Sequence, residues 1–222
     1  MQIQTAAVAS RRQSLRPAAS TKAFSSPLSM MGAAMRFAAK EEIYGENEPA
    51  EYIYQVISGT VRTSKILNDG RRQIGAFYGP GDVFGLETGN RHAYSAEPVT
   101  AAKVLVVKRS AVAAAAARDV ELSQQLCAWT GRELTRFQEH ILLLVKTAQE
   151  RVAGFLLARA AGVAGNEIEL PMSRQDIADY LGLTIETVSR TITHFQSKAA
   201  IELPTARRIV LRNRAALSRL NS

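Results

Sequence analysis

The sequence predicts an α+β fold: an N-terminal jelly-roll β-barrel, a long helix, and a C-terminal winged helix-turn-helix. Three observations predict it. Residues 42–109 combine short β-like runs with closely spaced glycines. Residues 111–147 drop that pattern and place apolar side chains three and four apart. Residues 173–200 read as helix, glycine turn, helix. The expected segments are a disordered basic arm at 1–34, a barrel at 35–110, a helix at 111–147 and a winged domain at 148–222.

The arm comes first. Residues 1–40 contain Arg11, Arg12, Arg16, Lys22, Arg36 and Lys40 and no acidic side chain. A basic stretch rich in Arg, Ser and Ala reads as a disordered arm before the first domain. A transit peptide has the same composition and is the alternative reading. The net charge of +8 is uneven, with +6 in residues 1–40, −1 in 41–149 and +3 in 150–222. An excess of positive charge at the ends points to a polyanionic partner.

In the barrel region, YIYQVISGTVRTSKIL alternates and runs into Asn68-Asp69-Gly70, a hairpin signal. RRQIGAFYGPGDVFGLE then places Gly75, Gly79, Gly81 and Gly85 close together, and PVTAAKVLVVKR reads as a further strand. Short strands separated by glycine-rich turns suggest a jelly roll.

From 111 to 147 the chain has no proline and one glycine, Gly131. Val120, Cys127, Thr130, Leu134, Phe137, Ile141 and Leu144 form one helical stripe, and Leu122, Leu126 and Trp129 form a neighbouring one. Two stripes allow one face to pack on the barrel and the other on the same helix of a second copy. Cys127, Thr130, Leu134, Phe137, Ile141 and Leu144 are the expected homodimer contacts. Burial of both stripes within one chain is the alternative.

The winged domain carries the chemistry. Ser173 followed by Asp176 three residues on is a capping-box-like helix start. Ile177, Ala178, Tyr180 and Leu181 give that helix an apolar face, and Gly182 stops it. Thr184 caps a second helix with Val188, Ile192 and Phe195 as its buried stripe. Helix, tight turn and helix make a helix-turn-helix. The second helix of such a motif enters the major groove of double-stranded DNA. Glu186, Ser189 and Arg190 share one face there. Arg190 can donate twice to guanine, Glu186 can accept from the cytosine amino group, and Ser189 can reach either kind of edge. A solvated i,i+4 ion pair between Glu186 and Arg190 is the competing reading. Ser173, Arg174, Thr184 and Thr187, at the two helix starts, are the expected backbone contacts. Arg207 and Arg208, near the turn between strands at 201–203 and 209–211, join them as wing residues. Asn213 is placed to cap a last helix.

The order of barrel, helix and winged helix-turn-helix resembles the CRP/FNR superfamily of bacterial transcription regulators over residues 35–220. MSRQDIADYLGLTIETVSRTITHFQ is similar to the helix-turn-helix signature of the FNR branch, whose E-x-x-S-R pattern reads TTGAT. The resemblance implies that Glu186, Ser189 and Arg190 are the base readers, on a TTGAT-N4-ATCAA inverted repeat. The cyclic-AMP-receptor branch has arginine in place of Ile185 and glycine in place of Ser189. Residues 1–40 lack the cysteines of an iron–sulfur sensor. Gly85-Leu86-Glu87 and Arg91-His92 depart from the Gly-Glu and Arg-Ser/Thr pairs that hold a cyclic nucleotide. FGLE, SAEPV and the missing cysteines are similar to the FixK group. That likeness implies a homodimeric regulator, mainly an activator, of microaerobic and nitrogen-fixation genes. It would need no cofactor or effector and would contact RNA polymerase.

Other function classes are weaker. A ligand-gated sensor is the alternative within the same fold. A cupin enzyme needs converging histidines, and only His92 lies in the barrel region. Cys127, the sole cysteine, excludes an intrachain disulfide and suits a reducing cytoplasm. No run of about 18 apolar residues predicts a membrane span.

Overall fold

A computed structural model describes residues 27–161, 163 and 165–220. The chain begins there with a 3-10 turn at Pro27–Met30, followed by β1 (Gly32–Phe37), β2 (Tyr52–Ser58), β3 (Val61–Ile66), β4 (Arg72–Tyr78), β5 (Val83–Phe84), β6 (Ser95–Pro98) and β7 (Ala102–Lys108). Helices α1 (Arg109–Ala116), α2 (Val120–Leu144) and α3 (Ala148–Ala160) come next. Then come β8 (Glu167–Glu169), α4 (Arg174–Leu181), α5 (Ile185–Ser197), β9 (Ile201–Thr205), β10 (Arg208–Leu211) and α6 (Arg214–Leu220).

The β-domain is built from two open sheets, ordered β1-β7-β2-β5 and β4-β3-β6. Their core lies between them and joins Tyr54, Val56 and Val104 of one sheet to Val61, Ala76, Tyr78 and Ala96 of the other. The expected barrel is therefore a two-layered jelly roll. The run from Tyr52 to Leu67 is not one strand. It breaks at Gly59, whose φ of +85° suits glycine, and whose added Cβ would lie 2.5 Å from the Ala101 carbonyl oxygen. β2 and β3 thus enter different sheets. The hairpin at Asn68–Gly70 joins β3 to β4 as antiparallel neighbours.

Two expectations are corrected. The basic arm does not extend to residue 34. Leu28 is fully buried against Ile53, Val83, Leu105, Val107 and Trp129, and β1 from Gly32 pairs with β7. Burial of Leu28 among these apolar side chains fixes the segment to the β-domain. The part of the arm at 1–26 lies outside the described residues. Nor is 111–147 one helix. α1 ends at Ala116, and Asp119 caps α2 by accepting from the Leu122 N–H at 3.1 Å. A carboxylate N-cap wins over alanine's helix propensity at that point.

α2 lies against the β-domain through Leu122 and Trp129, with Leu126 packed beside them. The Tyr78 hydroxyl donates to Glu133 at 2.7 Å, and Arg136 pairs with Asp82 at 3.0 Å while covering the Tyr78 ring. The other stripe stays uncovered within the chain. Val120, Leu134, Phe137, Ile141 and Val145 are at least half exposed, and Cys127 and Thr130 are exposed beside them. Leu144 is half-buried at the end of the stripe.

The C-terminal domain has its own core. Val152, Phe155 and Leu156 of α3 meet Ile177 and Leu181 of α4, Val188, Ile192 and Phe195 of α5, and Ile201, Ile209 and Leu211 of the wing. Ile74 and Phe77 of β4 belong to the same cluster, so the β-domain and the C-terminal domain share apolar surface.

Candidate nucleic-acid interface

Local capping chemistry sets the two helices of the motif. Ser173 accepts from the Asp176 N–H at 3.0 Å while Asp176 accepts from the Ser173 N–H at 3.0 Å. α4 ends at Gly182, with φ 61° and ψ 40°, and the Leu183 N–H returns to the Ala178 carbonyl at 3.0 Å. Thr184 then starts α5 by accepting from the Thr187 N–H at 3.2 Å. Val188, Ile192 and Phe195 bury one face of α5. The opposite face carries Ile185, Glu186, Ser189 and Arg190, all exposed.

Glu186 sits in the first turn of α5. Its carboxyl is held below the usual carboxylate range, first by its own backbone N–H and the Thr184 side chain and only last by the charge of Arg190. Among the described residues no ion pair joins Glu186 to Arg190, so the solvated-pair reading lacks its contact. Both side chains are available to a partner laid along this face.

The expected backbone contacts divide. Ser173, Thr184 and Thr187 use their hydroxyls in the helix caps, with Thr184 and Thr187 3.0 Å apart. Arg174 is half-buried, burial pulls its guanidinium below its ordinary pKa, and one of its terminal nitrogens is buried without a protein partner. In the wing, β8, β10 and β9 form one sheet. Arg208 reaches across it to Glu167 at 2.5 Å. Arg207 is exposed at the turn, with its backbone N–H on Thr205. Of the two wing arginines, Arg207 is the one without an acidic partner among the described residues. Asn213 caps α6 by accepting from the Ala216 N–H at 2.9 Å.

Aromatic rings pack on one another inside the β-domain. Tyr44 stacks on His92 at 3.6 Å between centroids, and Tyr54 and Tyr78 stack on Phe84 at 5.1 and 5.0 Å. Burial first, and then Glu87, push the Tyr54 hydroxyl up to about 12. Glu87 contacts His92 Nδ1 at 3.0 Å, and Arg91 is turned to the surface, donating to the Asn47 carbonyl. No group of His, Cys, Asp and Glu among the described residues could hold a metal ion.

Sequence reasoning missed Arg62 and Arg72. Both come from the β-domain and reach α4 of the motif. Their only sequence signal was two arginines beside apolar strand positions, which does not name a partner.

Comparison with known proteins places this geometry. A Crp-like helix-turn-helix domain matches residues 150–220, and a cyclic nucleotide-binding domain matches residues 34–119. The nitrogen fixation regulation protein FixK of Azorhizobium caulinodans is 52% identical over 199 residues, covering 86% of this chain and 80% of that protein. The chain belongs to the CRP/FNR family. FixK of Rhizobium meliloti is 40% identical over 183 residues, covering 81% of this chain and 82% of that one. The structure of FixK2 from Bradyrhizobium japonicum superposes with a TM-score of 0.83 at 50% identity, covering 86% of this chain and 98% of that one. This CRP/FNR chain is thus a helix-turn-helix transcription regulator and not an enzyme. The jelly roll, the helices and the winged motif are the fold of that family.

Proposed function

We propose that this protein is a homodimeric transcription regulator, mainly an activator, of microaerobic and nitrogen-fixation genes, and that it binds a TTGAT-N4-ATCAA-like inverted repeat without an effector. The observation that carries the reading is the exposed face of α5. Glu186, Ser189 and Arg190 lie together, free of one another, on a helix whose other face is locked into the domain core. Arg190 offers a bidentate donor to guanine and Glu186 an acceptor to the cytosine amino group. Glu186 weakens general attraction to phosphate and discriminates among bases in exchange. Arg207 supplies charge to the backbone from the wing, with Arg208 beside it. Ser173, Arg174, Thr184 and Thr187 line the helix starts, where backbone N–H groups favour phosphate.

The names of the FixK relatives support the choice of genes. The exposed stripe of α2 supports the dimer. Cys127, Thr130, Leu134, Phe137, Ile141 and Leu144 would pack against the same helix of a second copy, as a water-exposed apolar stripe of that length requires a cover. The aromatic packing inside the β-domain supports effector-free binding. Tyr44, Tyr54, Phe84 and His92 occupy its interior, and Arg91 is held at the surface instead of pointing at a phosphate. RNA polymerase is the expected second partner and the cytoplasm the expected compartment. No helix of the described residues is long and apolar enough to cross a membrane.

The test is stoichiometry and ligand dependence together. Sedimentation of purified, ligand-free protein with a palindromic duplex should give two chains per duplex. Addition of cyclic AMP or cyclic GMP should leave both the complex and the thermal midpoint unchanged. A complex that forms only after a nucleotide is added would move the ligand-gated reading to the front.

A further inference from the structure

Arg62 of β3 and Arg72 of β4 converge on the first helix of the DNA-binding motif. The Arg62 side chain is 7% exposed and donates to Asp176 at 2.7 Å and to Glu97 at 2.8 Å. Arg72 donates to the same Asp176 oxygen at 2.6 Å and to Asp179 at 2.7 Å. Asp176 is split between two tasks. One oxygen caps α4 through the Ser173 N–H, and the other takes both arginines. Burial draws the Asp176 carboxyl upward, but the Ser173 bonds and the two arginines outweigh it and hold the group below its ordinary range. The same junction is closed by His140 and Gln73 on the Tyr180 carbonyl and by Phe77 against the Tyr180 ring.

Such a junction is poor glue and good geometry. Taking several charges out of water offsets most of their attraction, so a buried ionic cluster adds little net stability over an apolar one. It does demand specific distances and directions, above all for the planar guanidinium fork. The cluster joins the β-domain, which carries α2, to α4, and α4 packs directly on α5. Arg62 and Arg72 therefore help fix the orientation of the base-reading helix relative to the α2 stripe, beside the direct contact of His140 on Tyr180.

We propose that Arg62 and Arg72 are positioning residues for DNA reading: their clamp on Asp176 and Asp179 sets the separation and phase of the two recognition helices in the dimer. The proposal rests on the reading of this protein as an effector-free dimer on an inverted repeat. Its signature is spacing. One base pair added between half-sites moves one of them by about 3.4 Å and turns it by about a tenth of a helical turn. A rigid dimer resists that displacement and a loosened one follows it.

The experiment uses the full chain and its Arg72→Gln and Asp179→Asn variants, neither of which removes the α4 cap. Binding is measured by anisotropy on palindromes with three, four or five base pairs between half-sites, and on a four-base-pair palindrome with the G·C pair of each half-site inverted. The unaltered protein should lose about tenfold or more in affinity when the spacer changes by one, the scale of a specificity contact. In the variants the spacer penalty should shrink to about threefold or less, while the penalty for the inverted G·C pair stays as in the unaltered protein. A spacer penalty unchanged in folded variants would overturn the clamp as a positioning device. If Arg72→Gln does not fold, Asp179→Asn alone decides by the same criterion. Failure of the dimeric reading shows differently: the unaltered protein itself would have no spacer preference, and the proposal would fall with it.

Discussion

His140 of α2 stacks on Tyr180 of α4 at 4.1 Å between ring centroids and donates through Nε2 to the Tyr180 carbonyl at 2.7 Å. The contact ties the helix that carries the apolar stripe to the motif that carries the base readers. Burial holds the imidazole below its ordinary pKa, against the pull of hydrogen bonds to the Tyr180 and Gly75 carbonyls.

A pH dependence follows from that direction. The unfolded chain takes up a proton on His140 near pH 6.5, while the folded chain resists until lower pH. The neutral histidine's contribution to stability is complete above the unfolded value and declines as pH falls through the window just below it. The thermal midpoint should therefore drop between pH 7.5 and 5.5, and His140→Gln should flatten that part of the curve. An identical slope in the variant would assign the dependence elsewhere.

Arg190→Ala should cost about 1–3 kcal/mol on the cognate site and relax discrimination at the guanine position. Competition with a single-substitution library of duplexes separates this from a phosphate contact, which would lose equally on every sequence. Glu186→Ala should broaden base choice at the facing position while non-specific affinity stays equal or rises, because a carboxylate near the polyanion is removed.

Arg207→Ala should weaken binding uniformly across sequences and lower the slope of log affinity against log salt by about two, one for each chain of the dimer. Arg208→Ala should change the slope less, since its guanidinium is already engaged by Glu167. Titrations from low to physiological salt check both.

Phe137→Asp should leave each chain folded, because that side chain is 52% exposed within it. The same change should abolish the dimer, since a charge in the centre of an apolar contact costs at least about 2 kcal/mol per copy. Sedimentation velocity reads the outcome directly.

The helix-turn-helix was legible because its determinants are local. Ser173 with Asp176, Gly182 and Thr184 act within one turn of where they stand, and the structure uses each as the sequence implied. The hairpin at Asn68–Gly70 is of the same kind. The strand break at Gly59 was hidden because glycine also fits an alternating run, and only its contact with Ala101 and Ala102 requires a bend. The alanine-rich stretch before Asp119 favoured a continuous helix, and a single capping carboxylate divides it. Residues 27–34 read as part of the basic arm because no local signal marks where it ends, and only the packing of Leu28 on the β-domain sets that boundary. The clamp was illegible for the plainest reason: Arg62 and Asp176 are 114 residues apart, and no local rule pairs them. On the interface, the sequence placed Glu186, Ser189 and Arg190 on one face. It could not show that Arg208 is paired and Arg207 open.

The central claim is that the ligand-free protein reads bases through Glu186 and Arg190. Fluorescence anisotropy at physiological salt tests it most directly, with a TTGAT-N4-ATCAA duplex beside one in which the G·C pair of each half-site is inverted. Tight binding to the first and roughly tenfold or more weaker binding to the second is the predicted result. Weak and equal binding to both duplexes would contradict it.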